Sequence, residues 1–192
     1  MAKKWTNQNL PGALHFVTGN VFPRQPIFSI EDNCKAFLEE LQTARNEREC
    51  KLIAFVLMPD HFHLVLNPRD GDIQTHTGIL KSLSAKRLVE LAPENIYFNG
   101  KENQVWQESF KALPLWSQWM ISQKTNYIHA NPVKAGLVKT ARDFRWSSFR
   151  AFYGEESDPL LQIDREWWWP EDVEKLRVAM GEEERGQARL PD

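Results

Sequence analysis

The residues in this 192-residue sequence whose types and spacing suit chemistry are two histidines one residue apart, and a tyrosine and an asparagine one helical turn apart. His61-Phe62-His63 lies in an apolar stretch, Phe55 to Leu66, interrupted by Met58-Pro59-Asp60, which reads as two strands around a tight connection. Side chains alternate faces along a strand, so His61, His63 and Val65 point one way and Phe62, Leu64 and Leu66 the other. The second set fits a covered core. The two imidazoles then project together, close enough to share one metal ion. His-x-His also occurs in zinc hydrolases and cupin-type barrels, so this pair alone leaves the metal's task open. By the same parity Asp60 points to the opposite face.

Tyr127 and Asn131 are four residues apart on an expected helix and share one of its faces. A phenol, with an intrinsic pKa of about 10, needs a nearby cation or base to attack at neutral pH. Two strand imidazoles and the Asn131 amide oxygen would make a mixed, fairly hard donor set for a divalent ion with open positions. Such an ion could polarise a phosphodiester opposite the tyrosine. Taken singly, Tyr127 could be a packing residue. Asn131 could cap a short following helix with Pro132 at its first position and Gly136 near its end. His129 falls on a different side of the helix and reads as structural or as a secondary contact.

The elements that must position these groups follow from periodicity and turn chemistry. Leu14–Thr18 is a β-prone run ending at the turn signal Gly19-Asn20, and Asp32 caps a helix reaching about Arg48. Leu52–Leu57 and His61–Leu66 form the hairpin, and Asn67–Gly71 is a loop. Ile73–Leu91 is an amphipathic helix with Lys81, Lys86 and Arg87 among its polar positions. Gln104–Lys111 supplies a fourth strand. Leu115–Ala130 is a helix closed at Asn131-Pro132, because the residue before proline avoids the helical region. The order β-α-β-β-α-β is that of an α+β, ferredoxin-like antiparallel sheet, with two helices on one face and the other face open. A C-terminal tyrosine helix and a tail are added to it.

Composition sets the outer bounds. A hydrophobic content of 42% is enough for a real core. The two cysteines, Cys34 and Cys50, show no metal or redox spacing. No run approaches the roughly 18 apolar residues of a membrane span, and the N-terminus lacks the apolar core of a signal peptide, so a cytoplasmic location is expected. The net charge of −2 hides an asymmetry: residues 1–150 hold 19 Lys and Arg against 14 Asp and Glu, residues 151–192 hold 5 against 12. Charge permits nucleic-acid binding without indicating it. The division expected is a domain over 1–150 and an acidic C-terminal tail over 151–192. The tail carries Trp167-Trp168-Trp169, whose indoles would pack on the domain or stack on bases, and a weak helix near Glu171–Met180.

The stretch from Phe55 to Leu66 resembles the hydrophobic-strand, Met-Pro-Asp/Asn-His-x-His signature of single-tyrosine HUH transposases. Asn126-Tyr-Ile-His-Ala-Asn-Pro-Val-Lys-Ala-Gly-Leu-Val138 resembles the same family's tyrosine helix, especially in its REP-associated tyrosine transposase branch. Arg24-Gln-Pro-Ile-Phe28, Trp106-Gln-Glu-Ser-Phe110 and Arg145-Trp-Ser-Ser-Phe-Arg150 are further matches, and the resemblance spans roughly residues 12–153 in order. It implies a transposase-like catalytic domain holding Mg²⁺ or Mn²⁺ by His61, His63 and Asn131. Tyr127 would attack single-stranded DNA near short palindromic hairpins, leaving a 5′-phosphotyrosine link and a free 3′-hydroxyl. Arg24, Lys81, Lys86 and Arg87 are the expected DNA contacts, and the protein would act as a monomer or homodimer. Two rival readings stay open: a small metal-dependent hydrolase in which His61 and His63 hold zinc, and a domesticated hairpin-DNA binder that no longer cleaves.

Overall fold

A computed structural model describes residues 7–91, 104–155 and 161–168. Strand β1 (Leu14–Asn20) is followed by helix α1 (Glu31–Glu47), the hairpin β2 (Cys50–Met58) and β3 (His61–Pro68), and helix α2 (Ile73–Leu91). Strand β4 (Lys111–Leu115), helix α3 (Gln118–Lys134) and the short helix α4 (Phe149–Phe152) complete it. The sheet order is β2-β3-β1-β4 with every neighbouring pair antiparallel, which is the ferredoxin-like arrangement. Among the described residues no helix is long and apolar enough to cross a membrane.

Each face of the sheet has its own core. Leu52, Phe55 and Leu57 of β2, Phe62, Leu64 and Leu66 of β3 and Val17 of β1 pack with Phe37, Leu38 and Leu41 of α1 and with Leu80 and Leu88 of α2. On the other face Ile53, Ala54, Val56 and Met58 of β2 join Leu14, Val65, Leu115 and the α3 residues Ile121 and Ile128. The register of β2 against β3 shifts between Leu52 and Ala54, so Ile53 is an extra residue and the alternation changes phase there. Burial of β2 on both faces is why its sequence is a continuous apolar run rather than an alternating one.

The second face is therefore not open, as the ferredoxin-like pattern suggested: α3 lies across it. Two features let α3 run further than the expected stop at Ala130. Pro132 is in its last turn, where the lost N–H removes only one late intrahelical bond. The helix then closes on Gly136 at φ +71, with Leu137 N donating to the Pro132 carbonyl and Gly136 N to that of Val133. Its other end is capped by Ser117, whose hydroxyl accepts from Met120 N at 3.2 Å. At α1, Asp32 sits in the first turn rather than at the cap, which is Ile30.

The fourth strand also moves. Within 104–110 only Trp106 bridges, to Val21, while the indole turns into the core between Phe28, Phe37 and Phe62 and donates to Ser84 Oγ at 3.1 Å. The ladder forms instead at Lys111–Leu115, an edge where Pro114, having no N–H, is tolerated.

Gly19-Asn20 is not a turn but the end of β1. The glycine is there for space: a Cβ at position 19 would stand 2.3 Å from Phe62 Cζ and 2.5 Å from Cε1. Phe62 is fully buried and held by Phe37 and Trp106 at ring separations of 5.1 and 5.2 Å, so it cannot retreat. Gly19→Ala should accordingly destabilise the fold by about 1–3 kcal/mol through overpacking. Chemical denaturation measures this; a variant as stable as the parent would show that the ring has room after all.

Candidate functional site

The site grows from three elements at one end of the sheet. The β1–β3 register sets Thr18 opposite His63 and Asn20 opposite His61. As alternation requires, the two imidazoles share a face, with centroids 4.9 Å apart, while Phe62 and Leu64 are buried on the other side. Phe16, two residues before Thr18 on the same face, stacks on His63 at 5.2 Å. From above, α3 delivers the Tyr127 ring to 5.3 Å from His63 and 5.8 Å from Phe16, both edge-on, and leaves Tyr127 40% exposed. Residues from three distant stretches thus meet around one imidazole.

Both histidines are held by Nδ1. His63 Nδ1 is 2.8 Å from Thr18 Oγ1, and His61 Nδ1 is 2.6 Å from Asp60 Oδ1. Among the described residues neither Nε2 has a hydrogen-bond partner. Burial is the main force that pushes the His63 imidazole down to about 3, and the charge that His61 carries when protonated, with those of Lys124 and Arg24, acts in the same direction. It is therefore neutral at ordinary pH, the form a metal ligand needs. Asp60 does not follow strand parity, because it lies in the turn between β2 and β3. There its carboxylate swings back to His61 while the other oxygen takes Arg24 Nη1 at 2.9 Å. Desolvation raises its pKa, but His61 and Arg24 outweigh that and hold it below the usual carboxylate range.

Asn131 lies one turn beyond Tyr127, and its Nδ2 donates to the Tyr127 carbonyl at 3.0 Å. The amide oxygen is left as the end that could serve an ion. Among the described residues no group of three or more His, Cys, Asp and Glu side chains could hold a metal ion. A third protein donor beside the imidazoles would then come from a neutral oxygen, and the Asn131 amide, one turn from Tyr127, offers one. Two imidazoles with unengaged Nε2 atoms and an amide oxygen are a donor set that suits a divalent cation.

The four expected DNA contacts fall in different places. Arg24 stands at the site, paired with Asp60. Lys81 is half-buried, with Nζ donating to the carbonyls of Gln107 and Glu108 at 2.7 and 3.1 Å. Lys86 and Arg87 are exposed on α2, in the helical layer on the far side of the sheet from the histidines. Two cations that sequence reasoning passed over lie nearer: Lys124 Nζ is 5.2 Å from the Phe16 ring, and Lys134 Nζ is 5.8 Å from the Tyr127 ring. Lys134 was findable, since it is seven residues and so two turns from Tyr127. Phe16 and Thr18 were not, because their place depends on the β1–β3 register.

His129 faces away from the site. Its Nε2 is 2.9 Å from Ser148 Oγ, and its ring packs among Phe149, Phe152 and Tyr153. Ser148 Oγ also accepts from Phe55 N at 2.9 Å, Ser148 N donates to the Phe55 carbonyl, and Leu57 N donates to that of Trp146. The Arg145–Arg150 segment thus covers the outer edge of β2 and ties α3 to it. Residues 161–168, expected to belong to a separate tail, continue along the same edge. Leu52 and Asp164 exchange hydrogen bonds, Asp164 also pairs with Arg45, and Leu161 is buried in the first core. Trp167 packs against the second core and Trp168 stacks under Lys51 Nζ at 4.6 Å. Trp169 and the expected helix at Glu171–Met180 lie outside the described residues.

The family described as "Transposase IS200 like" matches residues 13–131. A Haemophilus influenzae protein assigned to the REP-associated tyrosine transposases is 24% identical over 143 residues, 72% of this chain and 80% of the relative. A solved structure of a REP-associated tyrosine transposase bound to a REP hairpin superposes with a TM-score of 0.66 at 19% identity, covering 82% of this chain and 89% of that one. That likeness supports the fold.

Besides His63, burial holds His15, His76 and His129 down to about 4 each, with hydrogen bonds from the His15 ring to the backbone of Gln8 and Ala13 offsetting part of the effect there. All four are neutral in the fold, whereas the unfolded chain regains pKa values of about 6.5. Between about pH 6.5 and 4 the unfolded state binds more protons, so stability is full above that window and falls as pH falls through it. The slope is about 1.4 kcal/mol per pH unit for each proton taken up. Denaturant midpoints at pH 7.5 and 5.0 should differ accordingly; equal midpoints would count against neutral burial of these rings.

Proposed function

This chain belongs to the IS200-like transposases, and on that footing we propose that it is a REP-associated tyrosine transposase, a divalent-metal-dependent endonuclease and strand transferase acting on single-stranded DNA at hairpins. The observation that carries this reading is the meeting of Tyr127 with His63 at 5.3 Å, and of His63 with His61 at 4.9 Å. The ring packs edge-on against His63 and Phe16 while Tyr127 stays 40% exposed, so it is both positioned over the histidine pair and accessible from solvent. The family match, the Haemophilus influenzae relative and the hairpin-bound structural neighbour support the substrate class.

In the proposed reaction His61, His63 and Asn131 would hold Mg²⁺ or Mn²⁺, and the bound ion would supply Lewis-acid polarisation of the scissile phosphate. The Tyr127 oxygen attacks phosphorus and loses its proton to solvent. The bond from phosphorus to the 3′ oxygen breaks, and that oxygen takes up a proton. The products are a 5′-phosphotyrosine and a free 3′-hydroxyl. Attack by a 3′-hydroxyl on the phosphotyrosine reverses each step, so rejoining needs no outside energy. The ammonium groups of Lys124 and Lys134, over the Phe16 and Tyr127 rings, would attract the phosphate backbone to the site. Arg24 would meet DNA at the site itself, and Lys86 and Arg87 would meet it only if the hairpin reaches round to the α1/α2 layer. Lys81, anchored to two carbonyls, would contact DNA only through what its ammonium has left to donate.

Tyr127→Phe keeps the ring and its contacts, so stability should change by under about 1.5 kcal/mol. The covalent adduct with end-labelled hairpin DNA should nonetheless vanish from a denaturing gel, while hairpin binding stays near the parent level. An adduct persisting in the variant would move the nucleophile elsewhere, to Tyr97 or Tyr153.

Cleavage should also stop in excess chelator and return with Mg²⁺ or Mn²⁺, and His63→Ala should stop it with most DNA affinity kept. Undiminished cleavage in chelator would sink the metal-dependent reading.

A further inference from the structure

Asp60 occupies the tight turn between β2 and β3, and both of its oxygens are engaged. Oδ1 is 2.6 Å from His61 Nδ1, and Oδ2 takes Arg24 Nη1 at 2.9 Å. The turn and the loop after β1 are bound together behind this contact, with Val21 N donating to the Asp60 carbonyl at 2.9 Å and Phe28 N to that of Pro59 at 3.0 Å. Arg24 itself takes φ +73, a left-handed conformation uncommon for a residue with a side chain, and its N–H donates to the Val21 carbonyl at 2.8 Å. The backbone is thus bent into an unfavoured shape at the residue that brings its guanidinium to Asp60.

We propose that Asp60, clamped from behind by Arg24, is a positioning residue that fixes the tautomer and orientation of His61, so that Nε2 carries the lone pair and faces the ion. The inference rests on the reading of His61 as a metal ligand. An ionised carboxylate only accepts hydrogen bonds, so the proton of a neutral His61 imidazole must sit on Nδ1. That is the arrangement by which carboxylates commonly hold metal-bound histidines. Thr18, the partner of His63, is a hydroxyl that can donate or accept, so it does not dictate a tautomer in the same way. Arg24 has a second effect: by occupying Oδ2 it leaves both carboxylate oxygens engaged within the protein. Asp60 thus supports a ligand instead of becoming one, leaving open positions for a phosphate.

The test uses the metal-free protein with ¹⁵N-labelled histidine, in which imidazole spectra show which ring nitrogen carries the proton, followed by calorimetric titration with Mn²⁺. The parent should show His61 protonated at Nδ1. Asp60→Ala should move that proton to Nε2 and weaken Mn²⁺ binding by about 10–100-fold. Asp60→Asn, which keeps the turn and one acceptor oxygen, should restore the Nδ1 tautomer and most of the affinity. A parent His61 protonated at Nε2, or an Asp60→Ala variant with the parent tautomer and Mn²⁺ affinity, would overturn the proposal. His61→Ala separates this from the metal reading. Unchanged Mn²⁺ binding there counts against His61 as a ligand, whereas the orientation by Asp60 is decided by the spectra of the metal-free protein.

Discussion

The ring of Phe62 lies across the backbone of Gly19 and is walled in by Phe37 and Trp106. This contact fixes which side of β3 is core. With Phe62, Leu64 and Leu66 committed to the helical layer, His61 and His63 have nowhere to go but the other face. Because a strand's side chains repeat every two residues, a slip of one position would carry both imidazoles into the apolar core at a prohibitive desolvation cost. The same register places Thr18 and Asn20 opposite the histidines, so the glycine that admits the phenylalanine lies between two residues that line the site. Packing on one face and chemistry on the other are set by a single steric fit.

Helix α3 is the second half of the arrangement, and it is anchored on a side other than the one that carries its tyrosine. Ile121 and Ile128 bury its underside against β2, while His129 reaches Ser148, which is itself bonded to Phe55 of β2 at both N–H and carbonyl. A helix held along one side can present Tyr127 on its free flank with a defined height over His63. The anchoring residues are buried and the presented one is half-exposed, which divides rigidity from access within two turns of helix.

Much of this was readable from residue order alone. The His-x-His alternation, the two long helices and the β-α-β-β-α-β order each follow from periodicities that hold locally. Where the reading failed, a non-local partner or the true bound of an element decided. Gly19-Asn20 looks like a turn until the ring of Phe62, 43 residues on, is placed against it. Asn131-Pro132 looks like a helix stop, but a proline in the final turn loses little and Gly136 supplies the real closure. Asp60 was assigned a face by strand parity although it belongs to the turn, where parity has no meaning. The run 104–111 reads as the fourth strand, but Trp106 serves the core and the ladder forms at Lys111–Leu115. Phe16, stacked on His63, carries no signal of its own; only the register reveals it.

The outer edge of β2 has a consequence for the order in which the chain can be completed. Its N–H and carbonyl groups at Leu52 and Phe55 and the N–H of Leu57 are met by residues near 146–148 and 164, so roughly a hundred residues separate the strand from the segments that cover it. During synthesis the hairpin emerges long before its cover. Until then it presents a bare, strongly apolar strand of the kind that invites pairing with another chain. A hairpin buried on both faces in the finished protein is thus exposed to misassembly in the unfinished one, and among the described residues 161–168 are the latest in the chain to close an edge opened at residue 50.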